Sequence, residues 1–175
     1  KQKLIDEANT IHVTVNMKCN LKCPICYQKI DTEQLDVPNE DFSVSVDKIK
    51  EILKGQTGKL VAIIGGEPTL RDDLFEILRC VKDSGNTSYL ATNGLALLNK
   101  NYAKQLKENG LGYVNLWFDS FNDEVYMKLR GGRFLNSRLQ ILKNLKEEGM
   151  NVWLNAIIAR GVNDSEIPQI IKFAM

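Results

Sequence analysis

Three of the four cysteines in this 175-residue chain, Cys19, Cys23 and Cys26, fall within eight residues. A disulfide framework spreads its cysteines along the chain and pairs them, whereas this cluster directs three thiols to one shared centre. Thiolates are soft ligands suited to zinc or to iron–sulfur centres, so ligand type alone does not decide between them. Spacing narrows the choice. A closed zinc site needs four ligands, commonly as two pairs, and no second Cys or His pair follows. His12, the only histidine, precedes the cluster, and Cys80 lies in the helical pattern FEILRCVKD. A cubane iron–sulfur cluster held by three cysteines leaves one iron open to a substrate or cofactor. We prefer that reading; the alternatives are a zinc knuckle completed by His12 or Cys80, and a set of buried thiols.

Other candidate residues stand at the ends of strand-like runs. Gly65 and Gly66 remove side chains where a ligand must approach backbone, and Glu67 then offers a carboxylate to a cationic group. Pro68 keeps Glu67 extended, and Thr69 with Asp72 makes a variant helix-capping box. Thr92-Asn93-Gly94 is a turn sequence with two polar side chains. In Trp117-Phe118-Asp119-Ser120, Asp119 can accept two hydrogen bonds from the hydroxyls of a ligand, while Ser120 with Asp123 reads as a helix cap. Arg130, before Gly131-Gly132, suits a carboxylate in a two-bond fork or a solvated helix end.

These residues require a scaffold that brings strand ends together. Short runs rich in β-branched and aromatic residues, 11–16, 59–64, 87–92, 113–118 and 152–158, alternate with helical patterns. The helical patterns are Val44 to Lys54, Leu70 to Asp83, Lys100 to Asn109, a pair from Asp123 to Glu148, and one from Ser165. Glycines 55, 85, 110 and 149 each close a helical run. Such alternation predicts an α/β fold with a parallel sheet, doubly wound or curled as a barrel, whose ligands sit beyond the carboxyl ends of the strands. Alternation in the fifth strand puts Trp153, Asn155 and Ile157 on one face, and a polar Asn155 in a buried strand needs a partner. Asn163, Asp164 and Glu166 read as the start of the last helix. Gln28 to Asn39 reads as a loop.

The pattern Cys-x3-Cys-x2-Cys after the first strand, with Gly65-Gly66-Glu67-Pro68 after the second, resembles the radical S-adenosylmethionine (SAM) superfamily. The run LNAIIARGVNDSEI is similar to the matching stretch of its molybdenum-cofactor precursor cyclases and related archaeal methylases and lipid-coupling enzymes. The resemblance implies a partial (βα)6-type barrel, of which about five βα units are present. It implies a [4Fe-4S] cluster on the three cysteines and SAM chelated at the open iron. SAM is then cleaved reductively to a 5′-deoxyadenosyl radical that takes hydrogen from a substrate.

By the same resemblance Gly65, Gly66 and Glu67 face the SAM ammonium, Thr92 and Asn93 lie near SAM or substrate, and Asp119 and Ser120 lie near the ribose. Asn155 and Ile157 lie near the nucleoside, and Ile25 with Tyr27 near adenine. With SAM as the ligand, the carboxylate that Arg130 suits is that of SAM, the alternative being a solvated helix end. Relatives carry Ser where Trp117 stands, so a direct hydroxyl contact is missing from this chain. The implied partner is an external one-electron reductant such as flavodoxin or ferredoxin.

Composition fits this picture. The chain is 43% apolar and 26% charged, ordinary for a globular domain. Its net charge of +1 lacks the basic excess of a nucleic-acid surface. No apolar run spans a bilayer and residues 1–9 hold no signal-peptide core, from which a cytoplasmic location is expected. Residues 1–175 are expected to form one core domain, and the apolar ending IIKFAM suggests truncation at its C-terminus. A non-catalytic iron–sulfur module for electron transfer or regulation, and a zinc-stabilised binding domain, are the competing functions.

Overall fold

The structure, a computed structural model, describes residues 9–26 and 42–175. Tyr27 and the loop expected over Gln28 to Asn39 lie outside the described residues. Among the described residues five strands form one sheet in chain order: β1 (Thr10–Asn16), β2 (Leu60–Gly65), β3 (Thr87–Thr92), β4 (Leu111–Trp117) and β5 (Asn151–Asn155). Every neighbouring pair is parallel. Sequential order distinguishes the two expected architectures. A doubly wound sheet reverses direction once and places helices on both faces. Here each right-handed crossover steps the same way, so the helices share one face and the sheet is of the (βα)-barrel type.

The helices are α1 (Val46–Leu53), α2 (Leu74–Asp83), α3 (Lys100–Glu108), α4 (Asp123–Arg130), α5 (Leu135–Glu147) and α6 (Ile167–Ala174). Helix α1 starts where Ser45 Oγ accepts the Lys48 N–H, satisfying one orphan donor of the first turn. Its buried Ile49 and Leu53, four residues apart, form one stripe against the sheet. Helix α2 begins later than the expected Leu70. Pro68–Leu70 is a single 3-10 turn, and Arg71 leaves the helical path to donate to the Val15 and Val44 carbonyls at 2.6 and 2.8 Å. Those bonds tie the start of α2 to the end of β1. Thr69 is not the expected cap: Glu67 caps this turn by accepting the Thr69 N–H.

The core lies between the sheet and the helices. Val61, Ile63, Leu90, Val114 and Leu116 point there from the strands and meet Ile49, Leu78, Leu106 and Ile141, all with no exposed surface. Each such side chain contributes about 1.5–3 kcal/mol as an upper bound. The opposite, concave face carries a different set. The register places Ala62 beside Tyr89 and Tyr89 beside Tyr113, and Trp153 stacks on Tyr113 at 4.6 Å. This face and the carboxyl ends of the strands are the surfaces left for a ligand. Among the described residues no helix is long and apolar enough to cross a membrane.

Candidate active site

A cavity of about 260 Å³ opens at the carboxyl ends of the strands. Cys19, Cys23 and Cys26 line one side, together with Leu21 and Ile25. Ile64, Gly65 and Gly66 from β2, Ala91 from β3, Trp117 from β4, Arg130 from α4, and Asn155 and Ile157 beyond β5 complete the wall. Residues separated by more than 130 positions thus meet at one rim, as a parallel barrel requires. Cys23 is buried, Cys26 half-buried and Cys19 exposed. The two competing zinc ligands lie elsewhere: His12 is exposed early in β1, beside Ala62 and away from the carboxyl end of the strand, and Cys80 lines a separate hollow between α1 and α2 with Lys50 and Lys54.

The cysteine loop is seated by backbone. Gly66 N–H donates to the Asn16 carbonyl and Glu67 N–H to the Lys18 carbonyl, at 2.9 and 2.8 Å. A Cβ on Gly66 would overlap the Met17 and Lys18 carbonyls. The glycine was expected to admit a ligand; here it first admits the chain leading into the cysteines. Asn20 at the loop accepts from Asn93 Nδ2 at 2.7 Å, a second tie to β3.

Glu67 does not present its carboxylate to the cavity. It is fully buried. Its Oε1 accepts from Thr69 Oγ1, Thr92 Oγ1 and the Thr69 N–H, and its Oε2 from the Asn93 N–H, all within 3.1 Å. Thr92 and Asn93 are likewise buried beside it. These three residues join the ends of β2 and β3 instead of lining the cavity.

Asp119 is arranged in the same inward sense. Its Oδ2 accepts from Arg130 Nε at 2.7 Å and its Oδ1 from Arg130 Nη2 and the Ile157 N–H at 2.9 Å each. Asn163 Nδ2 donates to the Asp119 and Ile157 carbonyls. The Ile157 bond explains why β5 stops at Asn155, short of the expected 158. Ser120 donates to Glu166 at 2.7 Å and accepts the Asn122 N–H, while Asn122 and not Ser120 caps α4. Glu166 and Asn163, expected only to start the last helix, therefore also brace the rim.

Burial pushes the Cys19 and Cys23 thiols up from their ordinary value. Against this, the Leu21 N–H on Cys19 Sγ and the Arg130 guanidinium near Cys23 pull in the other direction.

A family model described as the radical SAM superfamily matches residues 13–174. The chain belongs to the radical SAM superfamily. Membership implies SAM and an iron–sulfur cluster, and the cavity with its three thiols is where this member has suitable donors. The chain is 34% identical over 170 residues to a 7,8-dihydro-6-hydroxymethylpterin dimethyltransferase of Methanocaldococcus jannaschii, covering 93% of this chain and 33% of that protein. It is 31% identical over 180 residues to a GTP 3',8-cyclase of Helicobacter pylori, covering 98% and 54%. It thus spans between a third and about half the length of these curated relatives. In fold it is similar to Streptococcus suis SuiB bound to S-adenosylmethionine, with a TM-score of 0.76 at 20% identity, covering 96% of this chain and 38% of that one. Methylornithine synthase gives a TM-score of 0.65 at 20% identity, covering 90% and 46%.

Within this radical SAM fold the cavity gathers nine of the residues that the sequence suggested: the three cysteines, Ile25, Gly65, Gly66, Arg130, Asn155 and Ile157. Glu67, Thr92, Asn93, Asp119 and Ser120 stand behind it. Asn155 is exposed on an edge strand, not in a buried one. Ile64 and Ala91 were missed; the strand alternation that places them inside was present in the sequence, but nothing marked them as rim positions. Trp117 was read as a departure from relatives, and its contact with Arg130 could not be read from spacing.

Proposed function

We propose that this chain is the core of a radical SAM enzyme in which Cys19, Cys23 and Cys26 hold a [4Fe-4S] cluster and SAM binds across the strand ends. The observation that carries the reading is the meeting of three thiols with Gly65, Gly66, Asn155 and Ile157 around one cavity. Thiols set around a cavity suit a polynuclear centre. When bound and reduced, the cluster supplies the electron that splits SAM to methionine and a 5′-deoxyadenosyl radical.

The protein's own residues do the rest. Gly65 and Gly66 expose backbone groups at the cavity wall, where a polar ligand group finds partners without a side chain intervening. Asn155 offers an amide, and Ile25 and Ile157 offer apolar surface to a nucleoside. A flavodoxin or ferredoxin serves as the external electron donor. The relatives named above act on GTP and on a pterin. The aromatic group of Tyr89, Tyr113 and Trp153 below the cavity, with Trp153 at 5.3 and 4.6 Å from the two tyrosine rings, suits a planar heterocycle of that kind as substrate.

Anaerobic reconstitution with iron and sulfide tests the reading. A stoichiometric cubane is expected, together with a reduced-state paramagnetic spectrum altered by SAM and release of 5′-deoxyadenosine. Substitution of any of the three cysteines by Ala should abolish all three signals. Uptake of zinc alone, or a cluster indifferent to SAM, would overturn the assignment.

A further inference from the structure

Arg130 is the last residue of α4 and only 3% exposed, yet it lines the cavity. A buried guanidinium with five N–H donors needs its partners specified. Two donors form the fork on Asp119. The planar group lies 3.9 Å from the centre of the Trp117 ring, a cation–π contact. The fork that would grip a carboxylate ligand is therefore already used, and the expected role at the SAM carboxylate does not suit this geometry.

Its remaining reach is toward the cysteine loop. Gly131, with φ 76°, ends α4 in the left-handed region that favours glycine. A Cβ there would lie 3.5 Å from the Lys22 carbonyl oxygen and 3.6 Å from Pro24 Cδ. The end of α4 thus rests against the residues on either side of Cys23. Arg130 and Cys23 line the same cavity, which sets the guanidinium charge beside the thiol. On its far side, Asp119 is fixed by the Ile157 N–H. A hydrogen-bonded chain from Ile157 to Asp119 to Arg130 runs along the cavity wall from the β5 end toward the side that Cys23 lines.

We infer that Arg130 is a positioning residue for the iron–sulfur centre: clamped between Asp119 and Trp117, it seats the loop at Cys23 and raises the reduction potential of a cluster bound there. Hydrogen bonds and positive charge at cluster sulfurs stabilise the reduced, more negative state. Trp117 supplies the flat surface that keeps the guanidinium in place. This inference rests on the proposed cluster assignment.

The test is a redox titration of the reconstituted protein without SAM, using dithionite and viologen mediators and following the reduced cluster by its paramagnetic signal. Arg130→Met should leave about tenfold less reduced cluster at a fixed poise, equivalent to about 59 mV for one electron. Arg130→Lys, which keeps the charge and loses the fork, should shift the same way by less. Trp117→Phe, which keeps both, should shift least, and it carries the test together with Arg130→Lys if the Met variant does not fold. A merely structural role would lower the melting temperature of the cluster-free variants while leaving every potential at the wild-type value; that result overturns the inference. If the wild-type chain takes up no [4Fe-4S] cluster, the assignment beneath it fails, which the iron and sulfide analysis shows separately.

Discussion

Two carboxylates without exposed surface stand behind the same cavity, Glu67 after β2 and Asp119 after β4, and they are satisfied in opposite ways. Glu67 has four neutral donors: two hydroxyls and two backbone N–H groups. Asp119 has a forked cation and one backbone N–H. On the β2–β3 side, geometry is held by hydrogen bonds alone. On the β4–β5 side it is held by a buried ion pair whose cation also lines the cavity. The difference shows that one rim uses a charge only as a hub for hydrogen bonds, while the other uses it to fix a second charge beside the cysteines.

Breaking the ion pair should give the larger effect. Asp119→Asn leaves the Arg130 guanidinium buried without its counter-charge, and loss of one partner of a buried pair costs about 3–5 kcal/mol. Urea unfolding of the cluster-free protein measures this. Glu67→Gln strands no cation. It replaces one acceptor oxygen by an NH2 facing groups that also donate, so a loss of about 1–3 kcal/mol is expected. Equal losses for the two variants would remove the distinction between the rims.

Alkaline titration should give the smallest and most local effect. Burial pushes Tyr126 up to about 12, with Asp119 adding to the rise. Burial likewise pushes Tyr102 up to about 12, with Glu67 adding. Both phenols ionise near pH 10 when unfolded. Their folded values are raised, so the stability they contribute is complete below about pH 10 and is lost as the pH rises toward 12. Ultraviolet titration should show Glu67→Gln lowering the midpoint of Tyr102 and Asp119→Asn that of Tyr126, each leaving the other in place. Crossed or equal responses would mean that the two carboxylates are not separate local hubs.

Much of this was legible in the chain. The cysteine spacing and the alternation of strand and helix are local properties. A thiol cluster needs only neighbours in sequence, and periodicity follows from the geometry of each element. Gly65 and Gly66 followed from the rule that parallel strands expose their carboxyl ends on one rim, whereas Asn155 and Ile157 followed from the family resemblance. The aim of the polar side chains there was not legible. Thr92 reaches Glu67 across 25 positions, and Ile157 reaches Asp119 across 38. Such bonds exist only once crossovers have set strands side by side.

The sequence by itself determined which atoms can bind metal and which segments form strands, because ligand chemistry and backbone periodicity are carried by residues close together in the chain. Only the tertiary structure decided that Glu67 and Asp119 turn inward and that Arg130 turns to Asp119 and Trp117. A buried charge must take whatever donors the packed fold brings within reach, and those donors come from distant segments.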